Sequence, residues 1–196
     1  AKHCSLISFS FLVLCHASVF AADLDGTSGD DSFTISSGET YEDVNLLEGD
    51  DTLLNNGTVT GDISGGDDDD AITNSGTIES YVSGGNGEDS ILNSGHIQGY
   101  VSGGDENDTL VNSGTMDSYL SGGDGDDSIE NSGTVGTYIS GGDGDDYIVN
   151  SGTVQTYVTG NDGDDVIINN GQIISGGTNG FLLGGAGNDT ITNSAD

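Results

Sequence analysis

No proline, no tryptophan and a single Lys or Arg occur in the 196 residues, against 34 Asp and Glu and a formal net charge of −33. Such a surface repels phosphate backbones and anionic lipid, so nucleic acid and membrane surfaces are excluded as partners. Both cysteines, Cys4 and Cys15, lie at the N-terminus, so no disulfide framework holds the rest of the chain. With 35 glycines and only 32% apolar residues, composition alone describes a chain too polar to collapse.

Apolar runs are also scarce, and the one that stands out is N-terminal. Lys2 precedes the stretch Leu6–Leu14, and Val19-Phe20-Ala21 has a small-x-small pattern. Residues 1–22 therefore read as a secretory signal peptide rather than as an uncleaved anchor, because the run is short of the roughly 20 residues a membrane helix needs. Leu14 before Cys15 disfavours lipoprotein processing. Cleavage would release a secreted, extracellular or cell-surface chain with no cysteine, lysine or arginine, and no membrane attachment.

What the chain has in abundance is period. Aspartates recur every 19 residues at Asp51, Asp70, Asp89, Asp108, Asp127, Asp146 and Asp165, and asparagines keep step from Asn55 to Asn169. Near 174–180 the register slips by five residues and resumes with Phe181, Gly184, Asp189 and Asn193. Residues 23–50 read as a leader with a degenerate first coil, and 51–196 as one array. This period fits one coil of an all-β parallel β-roll, a single β-solenoid with two short strands per coil. In the coil SGGDGDDSIENSGTVGTYI, Asp127–Asn131 is one expected strand and Thr134–Ser140 the other. Alternation points Ile129, Val135, Thr137 and Ile139 inward. The third inward position is always small (Gly61, Ser80, Gly99, Ser118, Thr137, Thr156), which predicts a narrow, flattened roll.

Stacked coils lie about 4.8 Å apart, so an aspartate column sets like charges at that spacing, at about 1 kcal/mol per neighbour in water and several times more at an effective dielectric near 20. A cation must relieve this. The hexapeptide GGDGDD at 122–127 and 141–146 offers carboxylates and glycine-loosened carbonyls, the hard oxygen donors that Ca2+ accepts in irregular geometry. Mg2+ demands stricter octahedral order, and no thiolates or imidazoles are arranged for zinc or copper. An EF-hand starting at Asp124 fails, since Ile129 and Val135 stand where its glycine and glutamate belong.

GGDGDDSIE (122–130), GGDGDDYIV (141–149), GGNGEDSIL (84–92) and GGAGNDTIT (184–192), with partial copies from 65, 103 and 160, resemble the nonapeptide of RTX, or haemolysin-type, calcium-binding proteins. The resemblance implies a parallel β-roll with Ca2+ between stacked turns. On this chain the implied ligands are Asp70, Asp89, Asp108, Asp127, Asp146, Asp165 and Asp189, with the leading Gly65, Gly84, Gly103, Gly122, Gly141, Gly160 and Gly184. The second half-coil, NSGTVxTYV, has no acidic turn, so one row of ions is expected instead of two. An N-terminal signal also departs from proteins of that family exported by the type I route.

Catalysis is not expected: His96 is the one histidine beyond the leader, and it takes a slot held by Thr77, Thr115 and Thr134 in other coils. The expected role is a secreted structural protein, a calcium-stabilised roll whose last coil stacks on another copy head to tail, giving filaments or matrix. Tyr81, Tyr100, Tyr119, Tyr138 and Tyr157 form an outward column, either stiffening the sheet or offering a lateral contact to fibrils or glycan. The alternative is a monomeric secreted calcium-binding module or adhesin fragment of RTX type. Acidic third and fifth turn positions, such as Asp124 and Asp126, read as solvated charge rather than as a mineral-nucleating surface.

Overall fold

A computed structural model describes residues 22–194, and these wind into a β-solenoid of three nine-stranded sheets. A central coil gives a five-residue strand such as Leu120–Asp124 to sheet A, a four-residue strand such as Ser128–Asn131 to sheet B, and a two-residue strand such as Thr134–Val135 to sheet C. Successive coils pair in parallel, Leu120 beside Ile139 and Ile129 beside Ile148. Pairing among the described residues starts at Leu24, which lies beside Val44, and the segment 23–50 contributes strands to all three sheets. The signal-peptide assignment falls, apart from Ala22, outside the described residues.

The coil has three strands where alternation predicts two. The expected strand Thr134–Ser140 breaks after Val135 and resumes at Ile139, with Gly136, Thr137 and Tyr138 forming the corner between sheets C and A. Val135 and Ile139 are four residues apart and both point inward, so parity does not betray a bend between them. Thr137 is not a core residue of a strand; it sits half-buried at the corner, where its equivalents Gly61 and Gly99 have no room for a side chain against the preceding coil.

The core is three apolar columns, one per sheet, represented by Ile139, Ile129 and Val135, each at most 1% exposed. β-Branched side chains suit a parallel sheet whose inner face is dry. From Thr52–Asn55 onward the inward residue at the end of each sheet B strand is asparagine, in the column that Ile35 begins, and its amide donates to the next coil, Asn112 Nδ2 to Asn131 Oδ1 at 2.8 Å. The ladder runs unbroken from Asn55 to Asn193.

The slip in register is a hairpin. Gln172–Ser175 and Thr178–Asn179 pair antiparallel through Gly176 and Gly177, whose φ values of 56° and 83° suit a tight two-residue turn. Parallel pairing then resumes, Phe181 beside Tyr157 and Asn193 beside Asn169.

Candidate metal centre

The hexapeptides occupy the corner between sheets A and B, with their first three residues in a strand rather than in a turn. Gly141, Gly142 and Asp143 end the sheet A strand Ile139–Asp143, and only residues 144–146 form the corner. The reason lies at the first glycine. It faces the interior, and a Cβ on Gly141 would run into Oδ2 of Asp146 and approach the Gly160 carbonyl. The same collision with the sixth-position aspartate holds for Gly65, Gly84, Gly103, Gly122, Gly160 and Gly184, opposite Asp70, Asp89, Asp108, Asp127, Asp165 and Asp189. Each first glycine therefore leaves the space that a carboxyl group folds back into.

Asp127 and its equivalents are inside the protein. Asp51, Asp70, Asp89, Asp108, Asp127, Asp146 and Asp165 are at most 3% exposed, and Asp189 in the last coil is half-buried. One oxygen of each is satisfied along the stack: the Asp127 amide donates to Asp146 Oδ1 at 2.9 Å, and Asp146 to Asp165 Oδ1 at 2.9 Å. The other oxygen, Oδ2, is buried without a partner in all seven of the fully buried aspartates. Burial, reinforced for Asp70, Asp108 and Asp146 by carboxylates in adjacent coils, pushes their pKa values up from 3.8 to about 7, about 8 and about 7, against the opposing backbone hydrogen bond. Burial likewise raises Asp51, Asp89 and Asp127 to about 6, and Asp165 is shifted upward by the same cause.

An orphaned carboxylate oxygen beside main-chain carbonyls is a donor set for a hard cation. At Gly65, Gly84 and Gly141, Oδ2 and the carbonyl of the next coil's first glycine crowd the same point. The residues fit Ca2+ by chemistry: oxygen donors alone, negative, and repeated once per coil. Among the described residues no three His, Cys, Asp or Glu side chains converge on one point, so the donors are spread along the stack and depend on carbonyls.

Three features were missed by sequence reasoning. Asp51, which the 19-residue recurrence includes but the expected ligand set does not, is a full member of the column, although Leu46-Leu47 stand where the later coils have the glycine pair. The column begins earlier still, at Asp31, whose Oδ2 accepts from the Thr27 amide at 2.6 Å and the Thr27 hydroxyl at 2.8 Å. The fifth-position acids are not merely solvated: Asp126 Oδ1 accepts from the Asp145 amide at 2.7 Å and Asp145 Oδ1 from Asp164 at 2.8 Å. A 19-residue recurrence of Asp or Asn at that position, interrupted by Glu88, was the available signal.

Elsewhere on the coil, Tyr81, Tyr100, Tyr119, Tyr138 and Tyr157 stack with centroids 4.8–4.9 Å apart and planes within 4°. Within the column the ring faces are covered by neighbouring rings, and the Tyr81 hydroxyl bonds the Asp62 side chain. His96 pairs with Thr77 and Thr115 and meets Asp117 at 3.1 Å on the exposed surface. An open trough of about 780 Å³ runs along the corner from sheet B to sheet C, lined by Ser113, Thr115, Ser132, Thr134 and their equivalents, and no charged residue lines it.

No protein-family model matches the chain, and neither does any curated protein. Among solved structures, the chain is similar to the X-ray structure of a hyperactive, Ca2+-dependent, β-helical antifreeze protein from an Antarctic bacterium. The TM-score is 0.69 at 24% identity over 89% of this chain, which spans 58% of the length of that one. The likeness establishes an all-β parallel solenoid.

Proposed function

We propose that the protein is a secreted, non-catalytic β-roll of RTX type that folds around a row of Ca2+ ions. One observation carries this reading: a buried column of aspartates whose Oδ2 atoms have no partner. Asp70, Asp89, Asp108, Asp127, Asp146, Asp165 and Asp189 would hold the ions with carbonyls of the first glycines. Ca2+ supplies the positive charge that lets adjacent carboxylates ionise inside the fold. The chain's own residues do the rest: Oδ1 of each aspartate fixes the next coil's spacing, and each first glycine admits the carboxylate. Far-UV circular dichroism and thermal melting of the chain at neutral pH, with Ca2+ and with EGTA, test it. A cooperative melt with calcium and its loss or large downward shift with chelator are expected; identical melts would overturn the reading.

A second reading concerns the outer surface. In a chain of net charge −33, the Ser-Gly-Thr trough is uncharged and repeats with the coils. Rows of hydroxyls on a rigid lattice suit ordered water, and the structural neighbour is an antifreeze protein. Thermal hysteresis of the calcium-loaded protein, lost in a T115K/T134K/T153K variant with an unchanged melt, is the result expected; no hysteresis in the parent would remove this reading.

A further inference from the structure

The hairpin 172–179 does more than interrupt the repeat. In five successive coils the apolar residue of sheet C passes its carbonyl to the coil that follows: Val59, Ile78, Ile97, Met116 and Val135 accept from Glu79, Gln98, Asp117, Gly136 and Gln155 at 2.8–3.1 Å. Ile173 occupies the same column, paired beside Val154. Its carbonyl accepts instead from Gly180 of its own coil, at 2.8 Å. The inserted residues bring this about. Ile174 and Ser175 extend the strand, Gly176 and Gly177 reverse it, and Thr178 and Asn179 return antiparallel to deliver Gly180 onto Ile173. Gly180 has no space for a side chain, since a Cβ there would strike the Thr156 carbonyl and Ile173 Cγ2. Every other strand pairing among the described residues is parallel.

We infer that this hairpin is a stop element that closes sheet C against axial addition of a second copy of the chain. Each coil offers two sheet C carbonyls to the next, one from a glycine such as Gly133 or Gly152 and one from the apolar residue; in the last coil the second of these, Ile173, is already bonded, and the strand beside it runs the wrong way for a parallel ladder. Among the described residues sheets A and B contain no such reversal: Phe181–Ala186 and Thr190–Asn193 keep the parallel register with Tyr157–Asp162 and Val166–Asn169 and present open edges. An incoming coil therefore meets two receptive edges and one blocked edge, and loses the register that the three sheets enforce together. The head-to-tail stacking expected from the sequence is thus opposed by the fold itself.

Deleting residues 175–179 places Ile174 and Gly180 directly between Ile173 and Phe181, matching Gln155 and Thr156 between Val154 and Tyr157 and restoring the 19-residue step. Sedimentation velocity in Ca2+, on samples whose circular dichroism shows the folded roll, reads the outcome. The parent is expected to keep one mass as concentration rises, while the weight-average mass of the deletion variant at least doubles. If the deletion does not fold, the full-length G176V/G177V variant, in which β-branched residues cannot hold the turn's positive φ, receives the same measurement with the same expectation. A folded variant whose mass stays that of the parent, or a parent that itself assembles end to end, overturns the inference.

Discussion

At the residue scale the decisive group is the sixth-position aspartate, because its two oxygens have opposite fates. Oδ1 is bonded along the stack, whereas Oδ2 is buried among other carboxyls with no donor. Without a cation the folded state binds protons more tightly than the unfolded chain, in which the pKa is near 3.8. Stability from this source is complete below that value and is lost as pH rises through about 6 to 8. Melting temperatures in EGTA should therefore fall steadily between pH 4 and pH 8, and calcium should flatten or reverse the slope. Asp127→Asn keeps an acceptor for Asp108 and removes a charge, so it should raise calcium-free stability at neutral pH by roughly 1 to 3 kcal/mol while weakening calcium binding in a titration. Backbone strain gives an independent handle. Leu47 stands at φ 87° in the register position that Gly66 fills in the next coil, and its side chain is largely exposed. Leu47→Gly should stabilise the first coils by about 1 kcal/mol in denaturant titration, whereas Gly141→Ala, which drives a methyl into the Asp146 carboxyl, should cost roughly 1 to 3 kcal/mol.

At the scale of the strand, what was legible in the sequence is what repeats with the coil. The inward Ile129 and Val135 columns, the amide ladder, the tyrosine stack and the aspartate column all follow from a 19-residue recurrence, because a parallel in-register stack makes each residue its own neighbour. The number of strands was not legible, since a corner at Gly136–Tyr138 preserves the inward parity of Val135 and Ile139. Nor was the location of the glycine pair: GGDGDD signals flexibility, and only the aspartate folding back over Gly141 shows why the first glycine belongs inside a strand. The asparagine ladder makes a prediction of its own. Asn112→Ala leaves Asn93 Nδ2 without its acceptor and Asn131 Oδ1 without its donor, both buried. Two orphaned groups should cost about 2 to 4 kcal/mol, and hydrogen exchange should rise most in the flanking coils.

For the whole molecule, charge is arranged by depth. Exposed acids such as Asp124, Asp143 and Asp162 form an outer row on the same corner where the buried aspartates form the inner one. Simple salt and calcium act on these two rows differently. At about 1 M monovalent salt the screening length is near 3 Å, shorter than the 4.8 Å between coils, so repulsion along the solvated row is largely removed. The inner row lies in the dry interior, where screening by mobile ions is weak and a carboxylate needs a ligand of its own. Solenoid stability is a sum over coils and their interfaces, so each unrelieved inner pair weakens one interface and the defects accumulate along the stack. Molar NaCl in EGTA should therefore raise the melting temperature only in part, while millimolar Ca2+ at low salt restores it fully. Equal rescue by the two would place the destabilising charge at the surface and remove the need for an ion inside the roll.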